Sequence, residues 1–150
     1  MPEIERKFSV NHQKWESVEK PVPSHIVQSY LSKTAECTVR IRLKNKKGFI
    51  TIKGKTTGIT RDEFEYEIPF DDAQQMIDTF CEKTLSKYRY EITVGNHLWE
   101  VDVFQGKLEG LIIAEIELST EDEQFELPDW VIEDVSDNKE FYNSRLIEKC

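Results

Sequence analysis

Cys37-Thr38-Val39-Arg40-Ile41-Arg42-Leu43-Lys44 alternates without a fault: Thr38, Arg40, Arg42 and Lys44 fall on one side of an extended chain, and Val39, Ile41 and Leu43 on the other. Successive side chains of a β-strand point to opposite faces, so this stretch is a strand with a polar, largely cationic face and an apolar one. The pattern spreads outward in both directions. Ile50 and Ile52 oppose Lys53 and Lys55, and Glu63, Glu65 and Glu67 oppose Phe64, Tyr66 and Ile68. At the N-terminus Glu3, Glu5 and Lys7 share a side, against Ile4, Phe8 and Val10 with Arg6. Further on, Lys87, Arg89 and Glu91 oppose Tyr88, Tyr90 and Ile92; Glu100 and Asp102 oppose Trp99, Val101 and Val103; and Glu115 and Glu117 oppose Ala114, Ile116 and Leu118.

Strands are therefore predicted near residues 3–10, 24–32, 37–44, 49–55, 62–69, 85–94, 97–104 and 111–118, with turns at Asn45-Lys46-Lys47-Gly48, Gly95-Asn96 and Gln105-Gly106-Lys107. Asp71 and Gln74 have the spacing of a capping box, after which Ala73, Met76, Ile77 and Phe80 share a helical face. Short helices are expected over residues 11–20 and 138–148 as well. Eight strands in 150 residues predict an α+β chain, residues 1–150 as one domain, built on a closed or nearly closed antiparallel β-barrel, because closure removes exposed edges.

One charged strand face fits a solvated outer surface. Seven together fit it poorly, because solvent faces freely accept Ser, Thr, Asn and Gln, whereas these repeat ExE, RxR and KxR. With the apolar faces packed outward against helices, the charged faces line an interior, where charge must be paired or metal-bound. The expected product is a hydrated tunnel.

Composition narrows the function. The 29 acids against 20 bases leave a net charge of −9, which argues against a surface for nucleic acid or anionic lipid. Nine of the bases nonetheless fall between Lys33 and Arg61, so one sector of the chain is cationic. The longest aliphatic run, Leu111 to Ala114, is far short of a membrane span, and the N-terminal residues carry no apolar export segment, so a cytoplasmic chain is expected. Cys37, Cys81 and Cys150 form no CxxC pair, and His12, His25 and His97 have no ligand spacing. Walker A, GxSxG and GxGxxG motifs are absent from the sequence.

Glu3-Ile4-Glu5-Arg6-Lys7 is an ExExK motif, and it is followed in order by Arg40-Ile41-Arg42, Lys53, Glu65-Tyr66-Glu67, Lys87-Tyr88-Arg89, Asp102 and Glu115-Ile116-Glu117. This series resembles the CYTH domain of the triphosphate tunnel metalloenzyme superfamily. Gln28-Ser29-Tyr30-Leu31 is similar to that family's second strand. The resemblance implies an eight-stranded antiparallel tunnel, a requirement for Mg²⁺ or Mn²⁺, and a small molecule bearing a triphosphate. It departs at Asp137-Asn138 and Glu140-Phe141, where the family has Gly-Asp near the start of the segment and a basic residue and a Tyr following.

A triphosphate carries about four negative charges near neutral pH, so its site needs several cations or metal ions. Lys7, Arg40, Arg42, Lys53, Lys87 and Arg89 supply six cations, the arginines suited to bidentate phosphate contact. Lys53 and Lys7 are the expected catalytic cations, Lys53 being a candidate to activate water. Glu3, Glu5, Asp102, Glu115 and Glu117 are hard oxygen donors for Mg²⁺ or Mn²⁺, and Glu65 and Glu67 either orient the arginines or hold a second metal. The leading expectation is a metal-dependent hydrolase of inorganic tripolyphosphate, by in-line attack of water on the terminal phosphorus. Adenylate cyclase, thiamine triphosphatase and a non-catalytic polyphosphate or nucleotide sensor are the alternatives. A homodimer is compatible with the sequence, which does not fix the oligomeric state.

Overall fold

The computed structural model describes residues 2–150. Eight long strands follow the predicted alternation: β1 (Pro2–Val10), β2 (Ser24–Lys33), β3 (Cys37–Lys44), β4 (Lys47–Gly54), β5 (Thr60–Ile68), β6 (Leu85–Val94), β7 (His97–Phe104) and β8 (Ile112–Leu118). They are hydrogen-bonded in the order β5-β4-β3-β2-β6-β7-β8-β1, and β1 returns to β5 through Pro2↔Asp62, Glu3↔Arg61 and Ile4↔Thr60. Every pairing is antiparallel, and the sheet closes into an eight-stranded barrel. A ninth strand, β9 (Val131–Asp134), adds to the far half of β1 at Phe8 and Val10. Four residues are too few to display a period of two, which is why the sequence did not disclose it.

In-register antiparallel partners share a face, so the pairings identify the interior. Glu3↔Arg61, Lys53↔Glu63, Thr38↔Lys53, Arg40↔Thr51 and Arg89↔Asp102 all match charged or hydroxyl partners. At one end the inward face turns apolar. Leu85 lies opposite Gln28, Phe104 opposite Lys87 and Ile113 opposite Asp102, and these three pack with Leu146 and Ile147 from the C-terminal segment. The barrel is thus a charged cavity with an apolar plug rather than a tunnel charged throughout.

The helices depart from expectation in three places. α1 (His12–Glu16) is shorter than predicted; Asn11 caps it by accepting from the Lys14 amide, and the chain leaves at Ser17 before Pro21 and Pro23. α2 (Phe70–Phe80) begins two residues earlier than a capping box at Asp71 requires. Its N-cap is Pro69, which makes no side-chain cap; Asp71 and Asp72 sit in the first turn, where they favour the helix dipole, and Gln74 donates to Asp78 instead. Ala73 and Ile77 are buried from α2, but Phe80 at its last position is 69% exposed. The expected helix at 138–148 is broken into a 3-10 turn (Lys139–Phe141), α3 (Asn143–Leu146) and a second 3-10 turn (Ile147–Lys149), because Tyr142 adopts an extended conformation.

Outside the barrel the apolar faces are covered in two patches. α2 lies across β2, β3 and β4, where Ile41 and Leu43 meet Ala73 and Ile77. Its approach is close, since a Cβ on Gly48 would stand 2.7 Å from that of Ala73. Over β1, β7 and β8, Trp99 is fully buried and its ring lies 5.3 to 5.8 Å from those of Phe8, Phe125 and Trp130. Phe64 and Tyr66 on β5 remain 49% and 59% exposed, so the helices do not cover the whole outer face. Among the described residues no helix is long and apolar enough to cross a membrane.

Ile41 is fully buried beneath α2. Ile41→Ala is expected to lower the unfolding free energy by about 2–5 kcal/mol through the cavity it leaves. Phe80→Ala, at the exposed end of the same helix, is expected to change it by about 0.5 kcal/mol or less. Urea denaturation of both variants checks this, and equal losses would contradict the assigned faces.

Candidate active site

A cavity of about 460 Å³ occupies the barrel interior. Two walls face each other across it. β3, β4 and β5 contribute Arg40, Arg42, Lys44, Lys53 and Arg61, with Glu63 and Glu65, whereas β1, β7 and β8 contribute Glu3, Glu5, Glu100, Glu115 and Glu117, with Lys7. Strand alternation explains the gathering, because each contributes through i, i+2 positions of one face. Arg89 joins the lining from β6.

Arg89 holds most of the acidic side together. Its Nε and Nη2 donate to the two oxygens of Asp102 at 2.8 and 2.9 Å, its Nη1 donates to Glu100 at 3.1 Å, and Nη2 also donates to Glu115 at 2.9 Å. These carboxylates raise its pKa well above the ordinary range, although burial opposes them. Lys7 donates to Glu115 at 2.8 Å and lies 3.6 Å from Glu5. Burial pushes the Glu115 carboxyl up, but the charges of Lys7 and Arg89 outweigh it and hold the group well below the usual range. Glu5 goes the other way: burial, then the neighbouring Glu115, push it up to about 8. The two carboxyls are close enough to share a proton. Glu3 is raised by burial and by its hydrogen bond with Glu63, and Glu117 by burial and the charges of Glu3 and Glu100.

The cationic wall is less fully neutralised. Lys53 donates at 3.0 Å to Glu3, two strands away over β5. Arg40 donates to Thr51 at 3.1 Å and sits 3.5 Å from Glu65, but its buried Nε has no partner among the described residues. Among the described residues Arg42 donates only to the neutral amide of Gln28, from Nε at 3.0 Å and Nη2 at 2.8 Å. Burial, reinforced by the charges of Arg40 and Arg89, lowers its pKa to about 9. A buried guanidinium without an acidic partner marks a place that favours an anion.

Not every expected residue reaches the cavity. Lys87 is fully buried below it, 2.7 Å from Asp102 and 3.2 Å from the side-chain oxygen of Asn143, and burial lowers its pKa to about 7. Asp102 is 1% exposed, with both oxygens engaged by Arg89 and Lys87. Glu67 is exposed at the barrel rim near Lys47, and Lys55 lies beyond the end of β4, also exposed. Among the described residues no group of three or more His, Cys, Asp or Glu is arranged to hold a metal by itself.

The site also draws on residues outside the set expected from the sequence, some lining the cavity and some behind it. Arg61 is one step of two before Glu63 and donates to the Gly54 carbonyl and Thr38; carrying the alternation one residue pair further back finds it. Thr51 and Gln28, both fully buried, bond Arg40 and Arg42, and being uncharged they carried no signal in the pattern. Tyr142, Asn143 and Ser144 reach the cavity from the broken C-terminal segment.

Comparison with known proteins bears on this site. A family model described as the CYTH domain matches residues 1–146. The chain is 42% identical over 147 residues to an inorganic triphosphatase of Acetivibrio thermocellus, spanning 97% of this chain and 93% of that one. It is 31% identical to an inorganic triphosphatase of Nitrosomonas europaea, with 97% of each chain covered. The crystal structure of an inorganic triphosphatase superposes with a TM-score of 0.68 at 28% identity, over 97% of this chain and 93% of that one.

Removing one member of a buried ion network strands the others. Arg89→Met is therefore expected to destabilise the fold by about 3–5 kcal/mol. Arg40→Met, which frees only the 42%-exposed Glu65 from its ion pair, is expected to cost far less. Urea midpoints decide it, and a smaller loss for Arg89→Met would refute the central place of this residue.

Proposed function

The chain belongs to the CYTH family, and from that membership and the cavity's charges we propose that it is a metal-dependent hydrolase of inorganic tripolyphosphate. The observation that carries the reading is an incompletely satisfied arginine pair: Arg42 held by a neutral amide, and Arg40 paired with the part-exposed Glu65 but with a buried Nε that has no partner among the described residues, facing a wall of glutamates across one cavity. A polyanion brings the charge the arginine side lacks, and its remaining oxygens face the carboxylates. The names of the relatives, both inorganic triphosphatases, support the same substrate class.

The carboxylate wall suits a hard divalent cation. Burial, and then the neighbouring Glu115, let Glu5 retain a proton at a pH where an ordinary glutamate has lost it, and a cation beside the two carboxyls offsets both effects. Mg²⁺ is commonly held by one or two carboxylates with phosphate oxygens and water completing its shell, so a larger cluster is unnecessary. Glu3, Glu5, Glu115 and Glu117 would hold Mg²⁺ or Mn²⁺, and Asp102 joins them only by releasing Arg89 and Lys87. When bound, the ion supplies Lewis-acid charge to the phosphate oxygens.

The chain's own groups do the rest. Arg40 and Arg42 orient the phosphate chain through charge-assisted hydrogen bonds, and Lys7 meets it from β1. Lys53 adds a further cation on the arginine side. Its hydrogen bond to Glu3 holds it as an anion-binding group. Arg89 in the cavity lining and Lys87 beneath it fix the carboxylates rather than touch the substrate. Glu65 orients Arg40 through Thr51, which donates to it at 2.8 Å.

Tripolyphosphate with Mg²⁺ or Mn²⁺ is expected to yield orthophosphate and pyrophosphate, EDTA to stop the reaction, and ATP to give no cyclic AMP. Arg40→Ala and Arg42→Ala each remove a charged contact worth about 1.5–3 kcal/mol, lowering kcat/KM roughly 10- to 150-fold. Phosphate-release kinetics with chromatography of the products check all of this. Turnover in metal-free buffer, or cyclic AMP as the main product from ATP, would overturn the proposal.

A further inference from the structure

Two arginines in the same interior are held in opposite ways. Arg89 rests on three acids, Asp102, Glu100 and Glu115. Arg42 rests on Gln28, the residue opposite it in the β2–β3 register, whose single oxygen accepts from both Nε and Nη2. A guanidinium offers donors only, so the amide is obliged to turn its oxygen to Arg42 and its nitrogen away. That nitrogen is buried, and it has no hydrogen-bond partner among the described residues. A glutamate of the same shape would remove the orphaned donor and give Arg42 a counter-charge. The chain instead carries the arrangement that leaves a buried donor unpaired and a buried guanidinium with no acid bonded to it among the described residues, both unfavourable in a protein interior.

We infer that Gln28 is a positioning residue for anion binding: its amide oxygen fixes the Arg42 guanidinium in place without neutralising it, so that the full charge is available to a phosphate in the cavity. The inference rests on the reading of the cavity as a triphosphate site. Gln28 does not line the cavity and acts only through Arg42. Its effect belongs to affinity, because the charge it preserves meets substrate and transition state alike.

Four variants test this: Gln28→Glu, Gln28→Met, Arg42→Met and the Gln28→Met/Arg42→Met pair, assayed with tripolyphosphate, with a thermal melt of each. Gln28→Glu keeps the shape and the hydrogen bonds but neutralises Arg42, so KM should rise by about 10-fold or more while kcat changes by less than about 3-fold and the melt is not lowered. Gln28→Met should lower kcat/KM by about 10-fold in the parent and by less than about 2-fold when Arg42 is already Met, since a residue acting through another has nothing left to act on. If Gln28→Met does not fold, Gln28→Glu still carries the test. A parent-like KM in a folded Gln28→Glu, or equal losses from Gln28→Met in both backgrounds, would overturn the inference and leave Gln28 a structural residue. A parent enzyme inactive on tripolyphosphate, or an Arg42→Met variant as active as the parent, would instead overturn the triphosphate reading, and the inference with it.

Discussion

Charge placed inside a closed sheet has to find opposite charge there, and that requirement shapes this protein more than any apolar contact. Each of the long strands turns one face into the barrel, and on most of them that face carries Lys, Arg, Asp or Glu. The interior is therefore held by ion pairs, with Arg89 bonded to three acids at their centre. Such pairs offset their own desolvation only when the geometry is good, so the apolar free energy of folding has to come from elsewhere. It comes from outside the barrel, in the aromatic cluster around Trp99 and the strip beneath α2, and from the plug of Leu85, Phe104, Leu146 and Ile147 at one end.

Within that network the signs are unevenly balanced. Among the glutamates of β1, β7 and β8, burial and then the neighbouring Glu115 push Glu5 up to about 8. Across the cavity, Arg42 has an amide for a partner. The protein thus stores an excess of negative charge on one wall and of positive charge on the other, rather than cancelling each against each. Burial makes both excesses unfavourable in isolation. A metal cation bound with a polyphosphate relieves both at once, which is the physical core of the functional proposal.

The sequence disclosed the barrel because a period of two survives in any half-buried strand, and Arg40, Arg42, Lys53, Glu3, Glu5, Glu115 and Glu117 stood out as charge repeated at that period. Depth along the barrel did not stand out. Lys87 and Asp102 obey the same alternation as Arg89 and Glu100, yet they sit below the cavity floor, because depth depends on stagger between strands rather than on the pattern within one. The same limit hid Gln28 and Thr51, whose importance arises only when register sets them beside arginines. β9 and the break at Tyr142 were illegible for a different reason: both are short, and their conformation is imposed by the surfaces they pack on.

A crystal soaked with tripolyphosphate and Mn²⁺ tests the central claim directly, since the phosphorus density and the anomalous signal of the metal report separately on the two walls. The account predicts a triphosphate inside the barrel with oxygens on Arg40 and Arg42, and manganese between it and the glutamates of β1 and β8. A triphosphate bound on the outer surface, with the Arg42–Gln28 and Glu5–Glu115 contacts unchanged within, would contradict it.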